Sequence, residues 1–463
     1  MDEPFMDDGE GQGQGQVNSD QRWKSTYSLQ ACFIFMALCF SINHGCVTAV
    51  LGLASANLGD ELGGIQSGTL YILYTLSALL IATSLVHSLG AKWSLVWGLG
   101  LYCAYVASFL IAAKVESVKW PAAIIGSAIG GTAAGWLWTA QGVYFGRVAD
   151  HYAVISGLSK EKSTSWLASI FASIYVGFEV VLKLASSLLY DFGSDTFVYT
   201  IFTIVAIACA VLMVFVPKEP PQLNQNQQQQ QKQLSAGERL AQAAKLLTTD
   251  SRMRWISGFE IMFGMASSFL NFYINGTIIK SALGKKNIGY MAAVVPATAT
   301  LLAVPYSKLT NITGKDPVMI CGCFSYLIIA MIVVIVKDEK LESLKWGLVF
   351  LYIIAGNGRA VFEGTNKAMV ADFFPNQKEA AFANVIITSG GASAVAFYIF
   401  PLLSKLSMAL IVAICCVYGM VGIFMAFRIH RSEDRGEWEK VDRGSRQSEE
   451  YERKDSIGFV QNT

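Results

Sequence analysis

The stretch 217–231, Pro-Lys-Glu-Pro-Pro-Gln-Leu-Asn-Gln-Asn-Gln-Gln-Gln-Gln-Gln, decides the reading of this chain because of what stands on either side of it. Its composition cannot bury enough apolar surface to fold alone, so it reads as a flexible tether. Six long apolar stretches precede it, at 28–53, 68–87, 93–113, 122–145, 165–189 and 197–216. Six more follow, at 255–279, 288–309, 317–336, 344–367, 380–400 and 407–427. A helix needs roughly 20 mostly apolar residues to cross the hydrocarbon core, where every backbone polar group must be bonded within the helix. The expected fold class is an all-α polytopic membrane protein of twelve transmembrane helices in two six-helix bundles, with the lipid bilayer as its first partner.

Composition agrees and excludes other classes. The 463 residues are 53% hydrophobic and only 15% charged, with a mean hydropathy of +0.43. Soluble proteins of this size carry more charge. The net charge of +1 offers no field to hold nucleic acid. All nine cysteines fall in apolar stretches, where thiols act as small hydrophobes; Cys321-x-Cys323 and Cys415-Cys416 read as packing rather than as a redox or metal site. No nucleophile, base and orienting group occur at recognisable spacing, so neither an enzyme nor a cofactor is expected. Residues 1–27 read as a polar, disordered tail without the pattern of a cleaved signal, and 428–463 as a second charged, disordered tail. The polar linker extends over 217–254, and 236–247 has helical spacing suited to lying along the membrane surface.

Lys and Arg near the spans set the orientation. In the first half, Arg22, Lys24, Lys92, Arg147, Lys160 and Lys162 fall on one side against Lys114 and Lys119 on the other, and the linker joins the richer side. Both termini and the linker are therefore expected in the cytoplasm. The loops of the second half run against this bias, and the early spans and the linker are given priority.

The two halves share landmarks at a nearly fixed offset. Val148-Ala149-Asp150 recurs as Val370-Ala371-Asp372, and Gly142 corresponds to Gly364, both 222 residues on; Gly90-Ala91-Lys92 is answered by Gly314-Lys315, 223 on by the lysines. Two parallel sets of six spans joined by a cytoplasmic tether form the organisation of the major facilitator fold.

Ionisable residues inside spans cost about 2.5 to 3.5 kcal/mol even on a lenient scale, so they face a cavity or a partner. Spans three, six, nine and twelve have none in their interiors, whereas His44 lies in span one, Glu179 and Lys183 in span five, Glu260 in span seven, and Arg359 and Glu363 in span ten. In the major facilitator fold, helices one, four, seven and ten line the central cavity. These residues, with Asn271 beside Asn275, are the candidates for a solute pathway. Each also has a structural reading. Glu179 and Lys183, four apart, form a neutral pair on one face, and Arg359 and Glu363 repeat that spacing. Glu260 sits near the end of its span, and His44 is either a proton-sensitive ligand or a hydrogen-bonded packing residue. In span four, Gly126, Gly130 and Ala134 form one small-residue stripe and Gly131 and Gly135 another, a spacing that favours close helix approach. Gln141 corresponds to Glu363 by the repeat offset, and with Lys92, Trp138, Gly142 and Gly364 it marks the candidate inner gate.

The run Leu137-Trp138-Thr139-Ala140-Gln141-Gly142-Val143-Tyr144 resembles the span-four signature of the Unc-93 family within the major facilitator superfamily. Gly68-Thr69-Leu70-Tyr71-Ile72-Leu73-Tyr74, leading to Leu89-Gly90-Ala91-Lys92-Trp93-Ser94-Leu95, is similar to its second and third spans. Gly356-Asn357-Gly358, Asn366 and Ala381-Phe382-Ala383-Asn384 resemble its tenth and eleventh. The resemblance implies the fold and a choice of roles: regulatory partner of a potassium channel or of potassium homeostasis, escort of membrane receptors, or secondary transporter of a small solute or ion. The loop between spans two and three keeps only Gly90 and Lys92 of the common superfamily pattern. Trp138 stands where many proton-coupled exporters carry arginine. Both departures argue against ordinary proton-driven transport.

Overall fold

The computed structural model describes residues 19–220 and 236–460, and they form helices and turns without a strand. The outermost part of the N-terminal tail and the glutamine run 227–231 lie outside the described residues. The principal helices are α1 (Ser19–Gly52), α2 (Asp60–Leu80), α3 (Ala91–Lys114), α4 (Lys119–Ser156), α5 (Lys160–Leu189), α6 (Asp195–Val214), α7 (Ser251–Phe269), α8 (Ile288–Thr313), α9 (Lys315–Ile335), α10 (Val349–Ala360), α11 (Lys378–Ile399) and α12 (Lys405–Val460). Three of these rods are interrupted. After α2 the chain bends by 60° into Ala82–Leu89. The wider π form continues α7 over Leu270–Ile279 and α10 over Val361–Asn366. π turns inside helices occur often at functional sites.

Eight of the helices are by themselves long and apolar enough to cross a membrane, and the bent pair makes a ninth. The rods that fall short are the fourth, seventh and tenth; in the last two the α-helix is cut short by the π segment, and the seventh also carries Arg252, Arg254 and Glu260. Span eight, despite Pro296 and Pro305, is one unbroken helix. Span eleven is likewise continuous.

Buried apolar residues segregate into two cores. One gathers residues from Phe33 to Val216, the other chiefly residues from Leu246 to Phe427, so each half has its own interior. Lipid supplies no hydrophobic drive for helix association, and close packing must hold each bundle together. Span four shows how: a Cβ on Gly131 would lie 2.3 Å from the Leu70 carbonyl oxygen, and one on Gly135 2.3 Å from the Ala78 nitrogen, so this stripe seats α4 on α2. Gly126 and Gly130 face Ser108 and Tyr105 of α3. Both stripes are packing surfaces.

The repeat is visible in the backbone. Gly90 and Gly314 have φ of +77° and +83°, a region open to glycine, and each is followed at once by the next helix. Their surroundings have diverged. Lys315 pairs with Asp372. In the first half Asp150 instead pairs with Lys160 at 2.8 Å, while Lys92 stands 5.3 Å over the Trp93 ring.

The linker differs from a simple tether at both ends. Glu219 is buried, accepts hydrogen bonds from the backbone nitrogens of Ala91 (2.9 Å) and Lys92 (3.0 Å), and pairs with Arg147 at 3.1 Å. The helix Ala236–Thr249 buries Ala243 and Leu246; its Ala243 carbonyl accepts from Asn384 of α11 at 2.9 Å, and Arg239 donates to Thr83 of the bent extension of α2. It therefore clips one half to the other at this end of the molecule, called here the linker end. Beyond Phe427 the last helix continues to Val460, where composition suggested a disordered tail.

Candidate functional site

The halves meet along α2 against α11 and α5 against α8. Toward the far end, opposite the linker, they touch closely, backbone to side chain and backbone to backbone. A Cβ on Gly64 would lie 2.5 Å from Pro401, one on Gly276 2.8 Å from Ser55, and one on Gly289 2.2 Å from the Lys183 carbonyl. Ion pairs Lys285–Asp195 (2.6 Å) and Lys286–Asp191 (3.3 Å) cross the rim there. At the linker end the picture reverses. Gly142 and Gly364, equivalent in the repeat, are both exposed, and an added Cβ would meet nothing within 4 Å at either. The halves are in close contact at the far end, whereas these two glycines at the linker end face open space.

Between these ends lies an ion cluster joining the halves. Glu179 of α5 is only 2% exposed. Its two carboxylate oxygens accept from the two terminal nitrogens of Arg359 on α10, both at 2.7 Å, and Oε1 also accepts from Lys183 at 2.7 Å. This planar, two-bond geometry is the one guanidinium and carboxylate fit best. The within-helix pair Glu179–Lys183 is present as the spacing implied. Arg359 does not pair with Glu363 in the same way: it crosses to the other half, and Glu363 pairs with Lys367 at 2.5 Å, both about half exposed toward the linker end.

His44 is buried beside this cluster, within electrostatic reach of Glu179, Lys183 and Arg359. Rings enclose it: Phe40 stacks at 5.9 Å, Trp138 stands edge-on at 5.4 Å and Tyr175 lies at 5.4 Å. Its Nδ1 has no hydrogen-bond partner. Trp138 thus packs over His44 and Tyr175, one turn before Glu179, and lies on the wall of the central cluster. Tyr175 carried no signal in the sequence beyond its place four residues before Glu179. Gln141 is buried one turn further along α4.

Asn271 stands apart from the cluster. Its amide nitrogen donates to the Ser267 carbonyl at 3.1 Å and its oxygen accepts from Asn275 at 3.2 Å, while Tyr352 donates to Asn275. That network ties the π segment of the seventh rod to α10. Glu260 is also separate, and its place differs from the span-end position read from sequence: it is fully buried, nine residues into α7, and accepts from Asn366 at 2.8 Å. Lys92 contributes its backbone nitrogen to the Glu219 cap. Glu219 itself was hidden in the sequence because it sits between prolines in a stretch read as tether.

The model of the family described as "Ion channel regulatory protein UNC-93" matches residues 60–424. Protein unc-93 homolog A of Bos taurus is 26% identical over 359 residues, covering 70% of this chain and 77% of that protein. UNC93-like protein 3 of Arabidopsis thaliana is 22% identical over 407 residues, covering 84% and 83%. Among solved structures, a point mutant of the nucleoside transporter NupG superposes with a TM-score of 0.65 at 14% identity, over 86% of this chain and 99% of that one. The inward-open xylose transporter XylE from E. coli gives 0.62 at 14% identity, over 87% and 96%. The two transporters share the fold with this chain. With the signature of span four, the paired six-helix cores and a match over most of the sequence in agreement, the chain belongs to the UNC-93 family of ion channel regulatory proteins.

Proposed function

We propose that this protein regulates an ion channel or ion homeostasis, potassium homeostasis in particular, through a transporter-like body whose two arrangements are set by the Glu179–Arg359 clasp. The termini, the linker and the linker end lie in the cytoplasm on this reading. The observation that carries it is the two-bond bridge between the halves: a buried contact that can be kept or broken as a unit is what gives a body two states. A partner that binds one arrangement better shifts the balance by its differential affinity, with no need for solute to pass. The experiment is whole-cell potassium current in cells expressing the full chain or Arg359→Ala. The full chain changes the current, and Arg359→Ala alters the size of that change at equal surface amount. Currents indifferent to both proteins would remove the regulatory reading.

A second reading is supported by the exposure of Glu363, Lys367, Gly142 and Gly364 on the rods that also carry Arg359 and Trp138 of the cluster. On that reading the protein is a secondary transporter of a small solute or ion that engages the cluster as the halves rock. Glu179→Gln or Arg359→Ala then abolishes flux into reconstituted vesicles, and flux unchanged in both sinks it.

A further inference from the structure

A second buried acidic group lies away from the clasp, in the second half alone. Glu260 is 0% exposed, and so is Asn366, at the end of the π segment of the tenth rod. The Asn366 amide nitrogen donates to Glu260 Oε1 at 2.8 Å. Glu260 Oε2 and Asn366 Oδ1 are both buried without a partner. Two acceptors left over beside one donor bond is a shortfall of one hydrogen. Turning the amide over changes which oxygen is served and leaves the same shortfall. Other hydrogen-bonded buried carboxylates in this chain are balanced by a cation: Glu179 by Arg359 and Lys183, Glu219 by Arg147.

Among the described residues, no cation forms an ion pair with Glu260. Along this part of α7, α11 presents Ser389 and Ser393 to Gly264, and α12 presents Tyr418 to Gly258, with Cys323 of α9 nearby. Arg252, at the start of α7, is engaged by Asp250 and Glu433. Lys367 is the charged group acting on Glu260, from the tenth rod, and it is paired with Glu363 at 2.5 Å. A hard metal cation asks for about six oxygen ligands or more, and two orphaned oxygens fall short. A proton needs only one carboxyl oxygen to hold it and one acceptor to receive its hydrogen bond.

We propose that Glu260 is a proton-binding site whose carboxylic acid closes a two-bond pair with the Asn366 amide and so latches the seventh rod to the tenth. The proton comes from water at the linker end and adds to one carboxyl oxygen; nothing is oxidised or reduced. The O–H donates to Asn366 Oδ1 while the amide donates to Glu260 Oε1, and each orphaned acceptor is accounted for. Loss of the proton leaves a buried anion facing a carbonyl oxygen, which pushes the rods apart. This site goes beyond the proposed regulation and stands whether or not any solute moves.

Infrared spectroscopy of the full-length protein in lipid tests it. At roughly pH 7, exposed carboxyls with ordinary values near 4 are ionised. The wild type shows the C=O stretching band of one buried carboxylic acid, Glu260→Gln lacks it, and Asn366→Ala shifts its frequency because the amide partner is gone. Glu260→Gln restores a donor and keeps both bonds of the pair, so its thermal midpoint stays near that of the wild type. If Glu260→Gln does not fold, Asn366→Ala decides alone. No acid band in the wild type, or a band that neither substitution changes, overturns the proposal.

Discussion

Replacing the two ends of the clasp one at a time should give unequal results, and the inequality follows from the geometry. Arg359→Gln removes two charge-assisted hydrogen bonds but leaves Glu179 beside Lys183 at 2.7 Å, a neutral pair. Glu179→Gln leaves Arg359 and Lys183 as two buried cations around one neutral amide, with side chains only 18% and 13% exposed. Breaking a buried pair so that a charge is stranded costs about 3 to 5 kcal/mol, and the second cation adds repulsion to that cost. Arg359→Gln should stay near the lower end, at about 2 to 3 kcal/mol, since hydrogen bonds to charged groups contribute about 1.5 to 3 kcal/mol each before rearrangement. The double variant removes one of the two stranded cations, so it should be more stable than Glu179→Gln alone. The assay is thermal unfolding of the four proteins in lipid nanodiscs. At about 2 to 4 °C per kcal/mol for a bundle of this size, Glu179→Gln falls by roughly 6 to 20 °C and the second substitution recovers part of the loss. A double variant less stable than both single variants, or Arg359→Gln weaker than Glu179→Gln, would refute the assignment of Glu179 as the shared counterion.

Three further outcomes are expected. Gly131→Leu and Gly135→Leu force a side chain into backbone 2.3 Å from the Cβ position and should abolish monodisperse expression, whereas Gly142→Ala and Gly364→Ala, with open space at the Cβ, should elute as the wild type does in size-exclusion chromatography. Glu219→Ala removes two hydrogen bonds from the start of α3 and strands Arg147 of α4; it should cost about 1 to 3 kcal/mol and raise hydrogen exchange at residues 90–92 specifically. Asp250 caps α7, accepting from the Arg252 backbone nitrogen at 2.8 Å. Burial alone would raise its carboxyl, but the hydrogen bonds and charge of Arg252 outweigh that and hold it below its ordinary 3.8. Its contribution is therefore full above that ordinary value and lost as pH falls through the lowered one. Asp250→Ala should cost about 1 kcal/mol at neutral pH and progressively less in acid, read from the thermal midpoint.

Much of the architecture was legible because membrane spans obey a length rule. A run of apolar residues long enough to cross lipid identifies itself, and the offset between Gly90 and Gly314 or Gly142 and Gly364 identifies the duplication. Pairing across rods was less legible, since it depends on how each helix is rotated. Arg359 and Glu363 are spaced as an intrahelical pair, but the π form begins at Val361 and carries an extra residue in the turn, which turns Glu363 away toward Lys367 and leaves Arg359 free to reach α5. Glu260 read as a span-end residue because polar Ser251 to Arg254 were assigned to the linker; α7 begins at Ser251, which places Glu260 in the packed interior.

The distribution of contacts also indicates which interaction governs the exchange between arrangements. Rim ion pairs such as Lys286–Asp191, both partners more than half exposed, are worth at most about 1 kcal/mol. They cannot by themselves hold the far end shut. Closure there rests on glycine contacts, Gly64 on Pro401 and Gly289 on the Lys183 carbonyl, which are short-ranged and vanish with a shift of an ångström or two. The linker helix holds the other end through the half-buried Thr83 and the buried Asn384, one hydrogen bond each. The Glu179–Arg359 bridge is different in kind, being buried near the middle and dependent on orientation as well as distance. If the halves rock, the far-end packing and the linker-end clip change together with the bridge, which is kept in the arrangement with the far end shut and broken in the other. A short bifunctional thiol crosslink between cysteines placed at 191 and 286, an exposed pair across the far-end rim, in a background lacking the native thiols should then trap the shut far end and leave the linker end accessible to a thiol reagent at 364. Modification at 364 blocked by that crosslink would contradict this opposition of the two ends across the Glu179–Arg359 bridge.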